Sequence, residues 1–141
     1  MDIYGNALLD FHKTGKADIL WLHNSYDAPE EMPIDIFFRN EDDMPEIELK
    51  ALELCKGKVL DVGAGVGSHA LLLDHKGINV TAIDISPIAV QIMKQRGVKN
   101  PQLQDFFQVN EKYDTLLFMM NGIGLTGTLQ KFEDFLETAK D

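Results

Sequence analysis

An apolar run that ends in three closely spaced glycines constrains the fold of this chain more than any other feature. The run Lys58–Val62 has the composition of a short buried strand, and Gly-Ala-Gly-Val-Gly follows it at positions 63–67. Glycine lets the backbone turn tightly and lets a ligand lie against it without a Cβ in the way. A helix that starts behind such a turn presents free N–H groups and partial positive charge. The pattern predicts a ligand-binding turn between a strand and a helix, with a purely structural turn as the alternative.

An acidic residue at the end of the next strand supports the ligand-binding interpretation. Asp84 ends the β-rich run Asn79–Asp84 and follows Gly63 by about 20 residues. A carboxylate at that position faces the ligand cleft and can accept two hydrogen bonds from a ribose diol. Helix capping is the alternative role, but Ser86 before Pro87 already provides a good N-cap.

The predicted elements around this turn alternate between strands and helices. We predict strands at 58–62, at 79–84, near Leu103 and at 116–120. We predict helices from Pro45 to Gly57, at 66–75, at 88–96 and from Leu129 to Ala139. This order indicates an α/β fold, with a parallel, doubly wound, Rossmann-like sheet of about four strands and helices on both faces.

Apolar stripes predict which faces of two helices pack inward. The stripe of the helix after Pro45 consists of Ile47, Ala51, Leu54 and Cys55. The stripe of the closing helix consists of Leu129, Phe132, Leu136 and Ala139.

The first 43 residues lack a steady period, so we expect an N-terminal helical cap at 1–43 and an α/β core at 44–141. Asn6 is the candidate cap of a short helix that ends near Gly15. The segment Pro33–Arg39 is either a short strand or an ordered crossing segment.

Composition narrows the functional classes. Thirteen Lys and Arg face 23 Asp and Glu, and the net charge of −10 disfavours general nucleic-acid binding. The lone cysteine, Cys55, has no intrachain partner, which indicates a reducing compartment. The N-terminus lacks the pattern of a signal peptide, and no apolar run approaches the roughly 20 residues that span a bilayer. We therefore expect a soluble, cytoplasmic protein that is not bound to a membrane. The four histidines show no ligand spacing, so no metal site is predicted.

The spacing of the glycines favours S-adenosylmethionine over a nicotinamide dinucleotide. A dinucleotide fingerprint requires glycine or alanine three residues after its second glycine, and Ser68 occupies that position. Asp61, two residues before Gly63, places a carboxylate where a dinucleotide fold normally has an apolar residue. A ligand with an ammonium group would be stabilised by that carboxylate. An NAD(P)-binding oxidoreductase domain remains the alternative within this fold.

The segment Asp61–Gly67, followed by Asp84 and then by Asp105-Phe106, resembles the ordered motif set of class I S-adenosylmethionine-dependent methyltransferases. The resemblance covers about residues 44–140 and implies methyl transfer to a nucleophile. It assigns the methionine end of the cofactor to the turn, with Asp61 near the amino group. The turn residues concerned are Gly63, Ala64, Gly65 and Gly67.

The resemblance also implies roles for residues at the adenosine end. Asp84 would bind the ribose hydroxyls and Ile85 would pack on the adenine. Asp105 would accept from the exocyclic amine of the adenine, and the backbone N–H of Phe106 would meet the ring. Asn121 matches the position where the family places a polar residue between cofactor and substrate.

The chain departs from the family in two ways. Asn121 is followed by Gly-Ile-Gly, which lacks the two prolines and the aromatic residue of amino-group methyltransferases of DNA. The family's sheet has seven strands, and this chain ends at Asp141 after the fourth. We therefore expect a fragment or a chain that a partner completes. The run Leu116–Met120 would then form an uncharged sheet edge that promotes self-association or lowers stability.

Residues 1–43 are expected to cover the cofactor. The resemblance implies that an arginine there, Arg39, could pair with the cofactor carboxylate, and Tyr4 lies in the same segment. The alternative is that both are surface residues of a covering segment. The methyl acceptor, a small molecule or a protein, is not indicated by these residues. A non-catalytic module that binds S-adenosylmethionine is the second functional hypothesis.

Overall fold

The computed structural model describes residues 1–23, 25–119 and 128–140. Its regular elements are, in chain order, α1 (Ile3–Thr14), β1 (Leu20–Leu22), β2 (Glu30–Met32), α2 (Glu46–Leu54), β3 (Lys58–Val62), α3 (Ser68–His75), β4 (Asn79–Asp84), α4 (Pro87–Arg96), β5 (Pro101–Leu103), β6 (Thr115–Phe118) and α5 (Leu129–Lys140). Short 3₁₀ helices lie at Ile34–Phe38, Glu41–Asp43 and Phe106–Gln108.

The central sheet is parallel, with the strand order β5-β4-β3-β6. In its register Val62 lies beside Ile83 on one side and beside Phe118 on the other, so the carboxyl ends of β3, β4 and β6 meet at one edge of the sheet. The predicted α/β fold class and its four strands are confirmed. In the described part of the chain β6 is the last strand at its side of the sheet.

Helices cover both faces of the sheet because neighbouring residues of the buried strands point in opposite directions. Val59 packs with Leu73 and Met93, on α3 and α4, on one face. Leu60 packs with Phe106 and with Phe135 of α5 on the other face. The strands are buried on both sides, as parallel strands generally are.

The inner faces of two helices differ from the prediction. On α2, Ile47 and Leu54 are 80% and 69% exposed, whereas Leu52 is buried at 2%. On α5, Phe135 is buried and Leu136 is 41% exposed. The prediction that Ile47, Leu54 and Leu136 face inward was wrong. Helical spacing alone fits more than one apolar stripe on the same helix. The neighbouring elements select the stripe that packs.

Helix ends follow local sequence signals with one correction. Ser86 Oγ accepts from the N–H of Ala89 at the start of α4, as predicted. The cap of α1 is Asp2, not Asn6, because Asp2 Oδ1 accepts from the N–H of Gly5 at 2.6 Å. α1 ends at Gly15 in the left-handed conformation, as predicted.

The N-terminal segment packs against the core through α4. Leu8 on α1 and Ile34 in the first 3₁₀ helix share a buried apolar cluster with Val66 and Ile92. The segment Pro33–Arg39 therefore contains a 3₁₀ helix and no strand. The antiparallel pair β1–β2 forms a separate two-stranded sheet. Among the described residues, no helix combines the length and apolar character needed to cross a membrane.

Candidate functional site

Two cavities meet at the turn between β3 and α3. The larger has a volume of about 800 Å³ and extends past the ends of β3 and β4 to Asp105 and Phe107. The smaller has a volume of about 110 Å³ and lies between the turn and the N-terminal segment. Tyr4 and Gly63 line both cavities, so the two are adjoining compartments of one cradle.

The glycines of the turn have different structural roles. Gly65 has φ +59°, and a Cβ at this position would lie 3.0 Å from the Tyr4 hydroxyl oxygen. Gly67 has φ +79°, and its Cβ would lie 2.6 Å from Val98 Cγ2. Gly65 lines the smaller cavity together with Ala64, while Gly67 is outside both linings in the described part of the chain. The missing Cβ of Gly67 thus lets the turn pack closely against Val98, and the missing Cβ of Gly65 lets a ligand in the smaller cavity approach the backbone.

Asp84 links the turn to the end of β4. Its two carboxylate oxygens accept from the backbone N–H groups of Gly65 and Ser86, each at 2.9 Å. Burial raises the pKa of this carboxyl, and hydrogen bonds from backbone amides oppose the rise. Asp84 therefore fixes the turn and also lines the larger cavity. A carboxylate has about four lone-pair sites, so it can accept further hydrogen bonds from a ligand there.

Asp61 is a buried carboxyl with an unused acceptor. Its side chain is 1% exposed, and Oδ2 has no hydrogen-bond partner among the described residues. Burial, with a smaller contribution from the charge of Asp84, raises its pKa to about 7. Asp61 lines the smaller cavity. A positively charged donor in that cavity would stabilise the ionised form.

The far wall of the larger cavity is apolar. Ile85 is 76% exposed, and Phe107, which is 42% exposed, lines the same cavity. Asp105 lines the same wall and accepts from the N–H of Phe107 at 3.0 Å. Phe106 is buried against Phe118, with ring centroids 5.3 Å apart. An apolar slot with a carboxylate beside it suits a flat, amphipathic ring system. The predicted residue Asn121 lies outside the described residues.

The N-terminal segment supplies residues to both cavities. Asp2 and Tyr4 line the larger one, and Asp2 accepts a hydrogen bond from the Ser86 hydroxyl. Burial, and then the charges of Asp84 and Asp2, raise the pKa of Tyr4, so its phenol is neutral at physiological pH. The ring of Tyr4 packs edge-on against Phe37 at 5.4 Å. Tyr4 is therefore a wall of the cradle and not a surface residue.

Arg39 lines the smaller cavity as part of a partly buried charged cluster. Its Nη2 donates to both oxygens of Glu48, at 2.7 and 2.8 Å. His69, which also lines the cavity, lies 3.0 Å from Glu48 through Nε2. Sequence analysis did not identify Glu48, because it lies 9 residues from Arg39 and 21 from His69 and no local pattern connects them. The smaller cavity therefore presents the Arg39 guanidinium and the Asp61 carboxyl to a ligand.

Comparisons with known proteins identify the family. The family model described as "Methyltransferase domain" matches residues 59–133. A S-adenosylmethionine-dependent methyltransferase from Bacteroides fragilis, crystallised with S-adenosyl-L-homocysteine, is 41% identical with a TM-score of 0.91. That match covers 99% of this chain and 59% of the Bacteroides chain, so this chain spans about three-fifths of that protein's length.

A more distant structure supports the fold alone. The sugar N-methyltransferase KedS8 from Streptoalloteichus sp. ATCC 53650 is 15% identical with a TM-score of 0.56, covering 88% of this chain and 54% of its own. No curated protein matches the sequence. The family model covers more than half of the chain, and the Bacteroides structure matches nearly all of it at 41% identity. The chain therefore belongs to the S-adenosylmethionine-dependent methyltransferases.

Proposed function

We propose that this chain binds S-adenosylmethionine in the cradle formed by the two cavities and provides the cofactor-binding part of a methyl-transfer enzyme. The observation that carries the proposal is Asp61, a buried carboxyl whose Oδ2 has no partner among the described residues. An acceptor of this kind is costly unless a ligand uses it. The ammonium group of the cofactor's amino-acid end would satisfy it.

The smaller cavity suits the rest of that amino-acid end. An α-amino acid carries one positive and one negative charge, and this cavity is lined by Asp61 and Arg39. Asp61 would accept from the ammonium group, and Arg39 would donate to the carboxylate. Because Gly65 has no Cβ, it leaves room in this cavity for the carbon atoms that connect the amino-acid end of the ligand to its sulfur. This charge pattern supports the cofactor over a nicotinamide dinucleotide, whose pyrophosphate would be repelled by Asp61.

The larger cavity suits the adenosine end. We propose that Asp84 accepts from the ribose hydroxyls, and that Ile85 packs on the adenine. Asp105 would accept from the exocyclic amine, and the Phe106 backbone N–H would donate to the ring. Tyr4 and Gly63, which line both cavities, would then lie near the sulfur that joins the two ends.

Bound S-adenosylmethionine supplies an electrophilic methyl group on a positively charged sulfur. The residues of the cradle hold that methyl group in one orientation, and positioning of this kind supplies much of the acceleration of a displacement reaction. The chemistry that the bound cofactor would supply is displacement at the methyl carbon by an acceptor nucleophile, with S-adenosylhomocysteine as the leaving group. We propose a small molecule or a protein as the acceptor.

The test of cofactor binding is calorimetry with three ligands. S-adenosylmethionine and S-adenosylhomocysteine are expected to bind with similar stoichiometry, and NADH is expected not to bind. If NADH binds and neither S-adenosylmethionine nor S-adenosylhomocysteine does, the proposal is overturned in favour of an oxidoreductase domain. A screen for methyl transfer with small-molecule and protein acceptors then separates an enzyme from a non-catalytic module.

We further propose that residues 1–43 act as a cover for the cofactor, and 44–141 as the α/β core. Tyr4 and Arg39 support this division, because each comes from the first segment and lines a cavity of the core. We also propose that the edge of β6 that faces away from β3 mediates self-association of this chain.

A further inference from the structure

Arg39 makes no hydrogen bond to Asp61 Oδ2, although both residues line the smaller cavity. Arg39 and Asp61 both line this cavity of about 110 Å³. Asp61 Oδ2 nevertheless accepts no hydrogen bond among the described residues, from Arg39 or from any other group. A guanidinium on a flexible stem would be expected to move toward a buried, unpartnered carboxylate. Partners elsewhere therefore compete with Asp61 for the Arg39 guanidinium.

Glu48 on α2 is one such partner. Both of its oxygens accept from Arg39 Nη2, and the Arg39, Glu48 and His69 side chains are only 17%, 12% and 9% exposed. Charge-assisted hydrogen bonds with so little solvent around them are strong and directional. Glu48 is not one of the described residues that line the cavity, whereas Arg39 and His69, which it binds, are.

His69 fixes Glu48 from the other side. Burial alone would raise the pKa of Glu48, but hydrogen bonds and charge interactions with His69 and Arg39 together outweigh burial and leave the pKa below its usual value. Glu48 is therefore ionised and can only accept, so His69 Nε2–H is the donor of the 3.0 Å contact. The Glu48 carboxylate cannot rotate without losing one of these bonds. Its position depends on three parts of the fold: α2, which carries Glu48, α3, which carries His69, and Arg39 directly after the 3₁₀ helix Ile34–Phe38.

The geometry points to Glu48 as a positioning residue that keeps Arg39 from neutralising Asp61, so that both charges remain available to the amino-acid end of the cofactor. This inference rests on the proposed function. Without Glu48 the guanidinium would pair with Asp61, and neither the ammonium nor the carboxylate of the ligand would find its partner. The adenosine end, bound in the other cavity, would be unaffected.

The experiment compares two ligands on one variant. S-adenosylhomocysteine has the adenosine and the amino-acid end, and 5′-methylthioadenosine has the adenosine and sulfur but neither ammonium nor carboxylate. Glu48→Gln is expected to weaken binding of S-adenosylhomocysteine by roughly tenfold or more, which is the loss of at least one charge-assisted bond. Binding of 5′-methylthioadenosine is expected to change by less than about twofold. Glu53→Gln is the matched control, because Glu53 is an exposed residue of the same helix that pairs with Lys50.

Several outcomes would overturn the inference without touching the proposed function. Equal weakening of both ligands would show that Glu48 supports only the fold, and no weakening of either would show that Arg39 needs no positioning. If Glu48→Gln fails to fold, the same two ligands are compared on Glu48→Asp. This variant keeps the negative charge, but its shorter side chain moves the carboxylate away from Arg39. If the unmodified protein binds neither ligand, the proposed function fails instead, and the two failures are therefore distinguishable.

Discussion

The substitution Asp61→Asn should make the protein more stable and at the same time impair cofactor binding. Asp61 is buried, and its Oδ2 has no partner among the described residues. The unfolded chain ionises an aspartate near pH 4, whereas burial raises the pKa of Asp61 in the folded protein to about 7. The folded state therefore binds one proton more than the unfolded state between these two pH values.

The sign of the effect follows from that extra proton. The free energy of unfolding falls as pH rises from about 4 to about 7, by about 1.4 kcal/mol per pH unit, and then stays level. The total loss from this one group is up to about 4 kcal/mol. Asparagine does not ionise, so the variant should lose no stability over this range for this reason. The two proteins should be similar near pH 4, and the variant should be more stable at pH 7.

Urea denaturation of ligand-free protein at several pH values between 4.5 and 8 measures this difference. Asp74→Asn is the matched control, because Asp74 is also buried but accepts from the N–H of Lys99 at 3.0 Å. That variant is expected to lose stability. Parallel pH profiles for Asp61→Asn and the unmodified protein, or an Asp61→Asn variant that is less stable at pH 7, would refute the reasoning. In calorimetry, Asp61→Asn should weaken S-adenosylhomocysteine binding by roughly tenfold or more, because one charged hydrogen bond is lost.

Three further predictions follow from the cradle and the sheet edge. Asp84→Ala leaves the N–H groups of Gly65 and Ser86 without their acceptor, so the free energy of unfolding from urea denaturation should fall by about 2–5 kcal/mol. The dissociation constant of S-adenosylhomocysteine, measured by calorimetry, should rise by at least roughly tenfold. An unchanged dissociation constant would contradict the role of Asp84 in binding the ribose. Gly65 has φ +59°, and the Cβ of Gly65→Ala would lie 3.0 Å from the Tyr4 hydroxyl oxygen. The affinity for the cofactor should therefore fall while the circular dichroism spectrum stays unchanged. An unchanged affinity would show that the ligand binds elsewhere. The outer edge of β6 should cause self-association, visible by light scattering over a concentration series, and a monomer at high concentration would contradict that prediction.

Local signals in the sequence were sufficient for the strand–turn–helix units. The run Lys58–Val62 forms β3, and Ser86 and Gly97 bound α4 as a cap and a left-handed stop. These signals succeed because each depends on the φ and ψ preferences or the side-chain oxygen of one residue. The same locality explains the failure at α2, where Ile47 and Leu52 belong to adjacent stripes of one helix. The structure packs Leu52 because β3 and β6 lie on that side.

The sequence by itself determined the fold class, the glycine turn and the carboxylates at the ends of β3 and β4, because all of these follow from residue types at short spacing. Only the tertiary structure decided how the cradle is completed. It brings Tyr4 within reach of Gly65, places Arg39 in the same cavity as Asp61, and joins Arg39 and His69 through Glu48. No periodicity encodes these contacts, since they depend on how α1, the 3₁₀ helix Ile34–Phe38 and α2 pack against the rest of the fold. Packing of distant segments is decided by the burial of all their apolar faces together, and it is this packing that creates a charged cavity beside the turn.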